Sequence, residues 1–153
     1  MDLHQDLIDL LSVFSSSGVD YLIVGGWAVA LHGEPRFTKD LDLLVGGDEA
    51  NLVRVFEALR LYGAPPRIVE AARSLRDDEF LFFGTAPARV DILRTIPGIE
   101  FASARARAMR ITWHGVDVAV IGRDDLIVAK RAAGREQDLR DIRALLKDTE
   151  RGR

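Results

Sequence analysis

The chain contains 153 residues, of which 48% are hydrophobic and 29% are charged, and its net charge is −3. These values predict a soluble protein of one domain. The sequence contains no cysteine, which excludes disulfides and thiolate metal sites. It shows no secretory signal and no apolar run long enough to span a membrane, so we expect a cytoplasmic protein without a membrane partner. Residues 1–100 carry 9 basic and 16 acidic residues (−7) and residues 101–153 carry 12 and 8 (+4), so strong non-specific affinity for nucleic acid is not expected.

The hydrophobic pattern predicts helices and strands that alternate irregularly along the chain. In chain order we predict a helix over 3–14, a strand over 21–24, a short helix over 27–31, a strand over 41–45, a helix over 48–61, strands over 79–83 and 89–93, a hairpin over 110–113 and 116–120, and helices over 124–133 and 135–146. Asp48 is the predicted N-cap of the helix over 48–61. This order predicts an α+β fold, an α/β sandwich with one mixed sheet and flanking helices, whose strand order stays open.

Two carboxylates lie at the start of the strand predicted over 41–45. Asp40 and Asp42 are two residues apart, so in a strand they point to the same face. Their apolar neighbours indicate partial burial, where two carboxylates repel and raise each other's pKa unless a cation lies between them. Mg²⁺ prefers oxygen ligands and often binds through a few carboxylates and the phosphates of a substrate. The pair alone is weak support for a metal site, because a solvent-facing strand alternates in the same way.

Two further features strengthen the prediction of a metal site. The strand over 21–24 ends at Gly25-Gly26 and turns directly into a helix, which lets backbone N–H groups approach a phosphate closely. Asp91 is a third acid with apolar neighbours on a predicted strand, and it needs a partner or a cation if it is buried. Three acids beside a phosphate-binding turn suit phosphoryl transfer assisted by two metal ions.

These residues together resemble a known signature. Gly25-Gly26, thirteen intervening residues, Asp40-Leu-Asp42 and Asp91 on a later strand look like the motif of the DNA polymerase β-like nucleotidyltransferase superfamily. The run over 24–45 is similar to small bacterial AbiEii-type toxins of toxin–antitoxin systems and to antibiotic nucleotidyltransferases of the aminoglycoside and lincosamide type. The helical end over 125–142 is more similar to the AbiEii-type proteins. One departure is Gly26, where many members have Ser, so that only backbone amides can contact phosphate there.

The resemblance implies a nucleotidyltransferase domain over 1–153, with an N-terminal helix in 1–18, a catalytic core in 20–95, and a hairpin and C-terminal helices in 96–150. Such an enzyme moves a nucleoside monophosphate from a nucleoside triphosphate such as ATP to an acceptor hydroxyl, with Mg²⁺ or Mn²⁺ as cofactor. The implied acceptor is RNA, such as transfer RNA, or a protein, and the implied partner is an antitoxin protein.

Two alternatives stay open, an antibiotic nucleotidyltransferase and a non-catalytic nucleotide-binding module. The short chain argues against the first, since antibiotic enzymes usually need an extra acceptor-binding domain or a dimer partner. The three acids argue against the second, because a module without catalysis has no reason to gather like charges.

The resemblance also implies roles for individual residues. Asp40, Asp42 and Asp91 would be catalytic metal ligands, with Asp91 placed to activate the acceptor hydroxyl. Gly25 and Gly26 would hold the β- and γ-phosphates.

Several other polar residues are candidates with a structural alternative. Thr38 would contact phosphate or cap the strand, and Lys39, like Arg36, would meet the triphosphate or be an ordinary loop charge. Lys130 would contact phosphate or base, or form an ion pair with Asp138.

The remaining noteworthy residues are predicted to be structural. Helical spacing in the C-terminal segment predicts an ion-pair network of Arg135, Asp138 and Asp141. Trp27 is predicted to be a packing residue. The basic run of Arg105, Arg107 and Arg110 would contact an acceptor or remain exposed to solvent.

Overall fold

The computed structural model describes residues 3–34 and 38–150 and contains seven helices and six strands in that part of the chain. In chain order they are α1 (Gln5–Ser16), β1 (Tyr21–Val24), α2 (Gly25–Leu31), β2 (Asp40–Val45), α3 (Glu49–Tyr62), α4 (Pro66–Ala72), β3 (Phe80–Phe83), β4 (Arg89–Leu93), α5 (Phe101–Ala106), β5 (Met109–Trp113), β6 (Val116–Val120), α6 (Arg123–Ala133) and α7 (Glu136–Glu150). Every predicted element is present; β1, β4 and β6 have the predicted bounds, and the ends of the others differ by at most four residues. The short helices α4 and α5 were not predicted.

The six strands form one mixed sheet in the order β3-β4-β2-β1-β6-β5. The pairs β2–β4 and β1–β6 are parallel, whereas β1–β2, β3–β4 and β5–β6 are antiparallel. The predicted α+β fold with one mixed sheet and flanking helices is therefore confirmed. The hairpin of β5 and β6 joins the same sheet as the first strands, because β6 pairs with β1.

The core lies around the two central strands, β1 and β2. Leu22, Ile23, Leu41 and Leu43 are fully buried, as expected for strands covered on both faces. Helix α1 packs on β6 and α3, and helix α2 packs on β1 and β2. No helix in the described part of the chain is both long and apolar enough to cross a membrane.

A buried asparagine fixes the far end of the central strand pair. Asp48 caps α3 as predicted, with its Oδ1 accepting a hydrogen bond from the backbone N–H of Asn51 at 2.8 Å. The Asn51 side chain accepts from the N–H of Asp20 at 2.8 Å and donates to the carbonyls of Asp20 and Gly46 at 3.0 and 2.8 Å. These bonds hold the start of β1 against the end of β2. Since the two strands are antiparallel, the end of β1 meets the start of β2 at the opposite end of this strand pair.

Candidate active site

Pairing of β2 with β4 places the three predicted acids on one face of the sheet. Asp42 lies directly opposite Asp91, and Asp40 lies opposite Arg89. Opposite residues of paired strands share a face, as do residues two apart on one strand. Asp40, Asp42 and Asp91 are each partly buried, while Leu41 points into the core. The parallel register therefore brings Asp91 beside the acid pair from nearly fifty residues away in sequence.

The turn after β1 lies directly against this acidic face. Gly25 has a φ of 69°, in the left-handed region that favours glycine. A Cβ at this position would lie 2.2 Å from Oδ2 of Asp42, so any side chain would displace the carboxylate. Gly26 lies within α2 rather than in the left-handed region. The first glycine is thus needed for the close approach of two chain segments, and the second borders the cleft described below.

The pKa of the Asp42 carboxyl group is raised above its usual value. Burial is the largest cause that raises its pKa, followed by the negative charges of Asp91 and Asp40, and together they bring it to about 7. The positive charges of Lys130 and Arg135 act in the opposite direction without cancelling this effect. The sequence predicted mutual repulsion of the acids, and the structure adds burial as the larger cause.

Asp91 forms an ion pair with Arg89, which is not among the residues predicted from the sequence. Arg89 donates a hydrogen bond from Nε to Oδ1 of Asp91 at 2.8 Å, and its guanidinium lies 4.3 Å from the ring centroid of Phe82. Among residues 3–34 and 38–150, no group of three or more His, Cys, Asp or Glu side chains is arranged to hold a metal ion. The three acids therefore share a face without forming a closed set of ligands. The signal for Arg89 was its position two residues before Asp91 on one strand.

A cleft of about 400 Å³ opens beside the acids. Its lining combines residues of α2 and of the segment that leads into β2 with residues of the C-terminal segment. They are Gly26, Thr38, Lys39, Asp40, Asp42, Lys130, Arg135, Gln137 and Asp138. Gly25 borders a smaller adjoining cavity of about 90 Å³ that shares Lys130, Arg135 and Asp138 with the cleft. The structure thus brings most of the residues predicted for the site to one cleft.

Individual candidates differ in how free they are to meet a ligand. Thr38 donates a hydrogen bond to the carbonyl of Asp40 at 3.2 Å, which is the capping arrangement at the strand start. Lys39 is exposed at the rim of the cleft. Arg36 lies outside the described residues.

Lys130 is at the centre of a buried ion-pair network. Its side chain is 8% exposed, and Nζ lies 3.1 Å from Oδ1 of Asp138 and 3.1 Å from Oδ2 of Asp141. Arg135 donates from Nε to Oδ2 of Asp138 at 2.7 Å. The predicted network is present, and it includes the ion pair of Lys130 with Asp138 that was the structural alternative for that lysine. Arg135 remains largely exposed and lines the cleft, which makes it a candidate ligand contact that the sequence analysis treated as structural.

The other residues named from the sequence are not among those that line the cleft. Trp27 is buried and its ring lies 5.1 Å from that of Trp113, which confirms its packing role. Arg107 forms two hydrogen bonds to Asp125 at 3.0 and 2.9 Å. Arg105 and Arg110 line another cavity, of about 550 Å³, where β1 and β6 begin, at the opposite end of the central strands from the acids.

Solved structures share this fold at low sequence identity. LnuA, a lincosamide antibiotic adenylyltransferase with lincomycin bound, matches with a TM-score of 0.55 and 16% identity over 94% of this chain and 96% of its own. A putative nucleotidyltransferase from Thermotoga maritima matches with a TM-score of 0.56 and 16% identity over 94% and 92%. ANT(2")-Ia in complex with adenylyl-2"-tobramycin matches with a TM-score of 0.61 and 14% identity over 95% and 89%. At these identities the likeness shows the fold.

A family model that matches nearly the whole chain defines the class of protein, which is a nucleotidyltransferase. No curated protein matches the sequence significantly. The chain belongs to the family described as "Nucleotidyltransferase of unknown function (DUF6036)", whose match spans residues 2–148. LnuA is matched over nearly its whole chain, so chain length does not separate this protein from antibiotic adenylyltransferases.

Proposed function

We propose that the protein transfers a nucleoside monophosphate from a nucleoside triphosphate to a hydroxyl of an RNA or protein acceptor, with Asp40, Asp42 and Asp91 as its catalytic residues. The observation that carries this proposal is the register of β2 and β4, which sets Asp42 beside Asp91. Membership of a nucleotidyltransferase family supports the reaction class. The resemblance of the sequence over 125–142 to AbiEii-like proteins is what supports a macromolecular acceptor and an antitoxin protein as partner in this proposal.

The acidic face fits a hard divalent cation such as Mg²⁺ or Mn²⁺. Its donors are carboxylate oxygens, which these cations prefer, and a cation beside Asp42 would offset the burial and the neighbouring negative charges that raise its pKa. Asp40, Asp42 and Asp91 would hold the cation, which supplies positive charge shared between the carboxylates and the triphosphate. Oδ1 of Asp91 accepts a hydrogen bond from Nε of Arg89 at 2.8 Å, so its second oxygen would be the one to contact the cation.

The cleft beside the acids suits the phosphates of the nucleotide. Backbone groups of Gly25 and Gly26 approach the acidic face at the end of β1, and Thr38 lies at the start of β2. Lys39 and Arg135 offer exposed positive charge at the cleft. Lys130 acts from a fixed position, because leaving the network would break its ion pairs with two buried carboxylates.

Asp91 suits the acceptor side of the reaction. It lies on β4, on the side of Asp42 that faces the edge strand β3, whereas Gly25 lies on the other side of Asp42. A carboxylate between the acid pair and the open edge of the sheet can accept a hydrogen bond from an incoming hydroxyl and orient it. Its removal should therefore affect transfer more than triphosphate binding.

A second candidate function is the adenylylation of an antibiotic. It is favoured by the solved structures of similar fold, since LnuA carries lincomycin and ANT(2")-Ia carries adenylyl-2"-tobramycin. Both candidate functions require the same three acids, so they differ only in the acceptor.

Incubation with each radiolabelled triphosphate and Mg²⁺ tests both candidates. Parallel reactions offer transfer RNA, total cell protein, lincomycin or tobramycin as acceptor, with the Asp40→Asn/Asp42→Asn variant as the control. Label on RNA or protein supports the first function, and label on an antibiotic supports the second. Label that the double variant transfers equally well would contradict the assigned site.

A further inference from the structure

The edge strand β3 presents two aromatic rings on the same face of the sheet as the three acids. Phe80 and Phe82 are 52% and 47% exposed, and they are the only aromatic residues among the exposed large hydrophobic side chains of the described residues. Phe82 lies opposite Asp91 in the β3–β4 pair, and Asp91 lies opposite Asp42 in the β4–β2 pair. The three residues therefore form a row across one face, running from the edge of the sheet to the acid pair.

A third flat group adjoins the two rings. The guanidinium of Arg89 lies 4.3 Å from the centroid of the Phe82 ring while Nε donates to Asp91. The rings of Phe80 and Phe82 lie 6.0 Å apart at 32° to each other. Exposed aromatic side chains on an edge strand favour unwanted association, so two such residues beside the acids need a reason. Together they offer flat, partly exposed surfaces with a positive charge next to Asp91.

We propose that Phe80, Phe82 and Arg89 form a platform on which the terminal bases of a single-stranded nucleic acid stack, so that the acceptor is RNA rather than protein. This inference rests on the proposed function, in which Asp91 orients the acceptor hydroxyl. Proteins bind unpaired bases by stacking them on aromatic rings and arginine planes, with nearby positive charge for the backbone.

The spacing of the sheet supports this occupant. Neighbouring strands lie about 4.8 Å apart, so the backbone of Phe82 is about 5 Å from that of Asp91 and about 10 Å from that of Asp42. A terminal nucleoside can therefore place its base on the platform and its ribose hydroxyl beside Asp91. A peptide acceptor that added a strand to the edge of β3 would be held through the backbone of β3, and that mode does not require flat surfaces beside Asp91.

Binding of a fluorescently labelled single-stranded RNA of about eight nucleotides, measured by anisotropy with chelator present, tests the platform without catalysis. Phe82→Leu keeps an apolar side chain and removes the aromatic face, so it should weaken RNA binding by about fivefold or more. Phe82→Trp should preserve binding. Leu61→Ala, at a hydrophobic residue of α3 that is 66% exposed, should leave binding unchanged.

An RNA that lacks its 3′-terminal base gives the sharper comparison. Removing that base should weaken binding to the wild-type protein, and Phe82→Leu should then cause little further loss, because the two changes remove the same contact. Independent, additive losses would overturn the platform, as would unchanged binding by a folded Phe82→Leu variant.

Separate measurements distinguish failure of the platform from failure of the proposed function. Thermal stabilisation by Mg²⁺ with a non-hydrolysable triphosphate reports on the acids and is expected to be equal in wild type and Phe82→Leu. Stabilisation without RNA binding would overturn the RNA acceptor and leave the transferase site standing. Absence of stabilisation in the wild type would overturn the proposed function itself.

Discussion

Replacement of Asp42 by asparagine should stabilise the metal-free protein at pH 8 more than at pH 5. Burial, and then the charges of Asp91 and Asp40, raise the pKa of Asp42 to about 7, against about 3.9 in an unfolded chain. Between these values the folded protein binds more protons than the unfolded chain, so its free energy of unfolding falls as the pH rises. Asparagine keeps the shape of the side chain and carries no charge, so the variant avoids this loss.

The size of the effect follows from the pKa. Each pH unit between the two pKa values changes the free energy of unfolding by about 1.4 kcal/mol, and the window from pH 5 to pH 7 spans about two units. The advantage of Asp42→Asn over wild type should therefore be about 2 to 3 kcal/mol larger at pH 8 than at pH 5. Above pH 7 it should change little further, because the carboxyl group is then ionised in both states.

Urea unfolding at pH 5 and pH 8, with chelator present, measures this difference directly. Asp124→Asn removes an exposed carboxylate from the first turn of α6, outside the cleft lining, and controls for the loss of one negative charge. An advantage of Asp42→Asn that is the same at both pH values would contradict the raised pKa of Asp42 in the folded protein. It would mean that burial and the neighbouring acids do not destabilise the charged form.

Three other changes probe the remaining parts of the site. Gly25→Ala places a Cβ 2.2 Å from Oδ2 of Asp42 and should weaken Mg²⁺-triphosphate binding in calorimetry. Gly63→Ala, also at positive φ but in open space, should cost about 1 to 2 kcal/mol of stability and leave binding unchanged. Equal effects on binding would count against a role of Gly25 in the site. Lys130→Met removes the lysine from two buried carboxylates and should lower the free energy of unfolding in urea by about 3 kcal/mol. The same change at exposed Lys147 should have little effect. Similar losses in the two variants would contradict a stabilising role of the buried network. Asp91→Ala should abolish transfer in a single-turnover assay and retain triphosphate binding, and an undiminished rate would exclude its acceptor-side role.

Local sequence patterns predicted most of the fold. Strands β1 and β2 are short apolar runs beside turn residues, and α3 has a clear N-cap at Asp48, so their existence followed from composition and spacing. Helix α4 was not predicted, because it begins at Pro66 and proline is typical of turns as well as of the first turn of a helix. Helix α5 has only six residues, too few to show a helical repeat.

The candidate site was less predictable, because it depends on pairing between distant strands. The sequence indicated that Asp40 and Asp42 share a face, but only the parallel register of β2 and β4 sets Asp91 beside them. Arg89 faces the same way as Asp91 because the two residues are two apart on β4, and this spacing is the signal that could have identified it. Burial of Lys130 was also hidden, since α6 is strongly charged and its burial follows from contact with α7.

The roles of the three acids stay a prediction, which titration calorimetry with Mg²⁺ and a non-hydrolysable triphosphate tests most directly. The wild-type protein should bind the triphosphate tightly with Mg²⁺ and weakly with chelator. Asp40→Asn/Asp42→Asn should remain folded, because it relieves repulsion, and should lose the dependence on Mg²⁺. A folded double variant that binds the Mg²⁺-triphosphate as tightly as the wild type would contradict the claim that these carboxylates hold the metal.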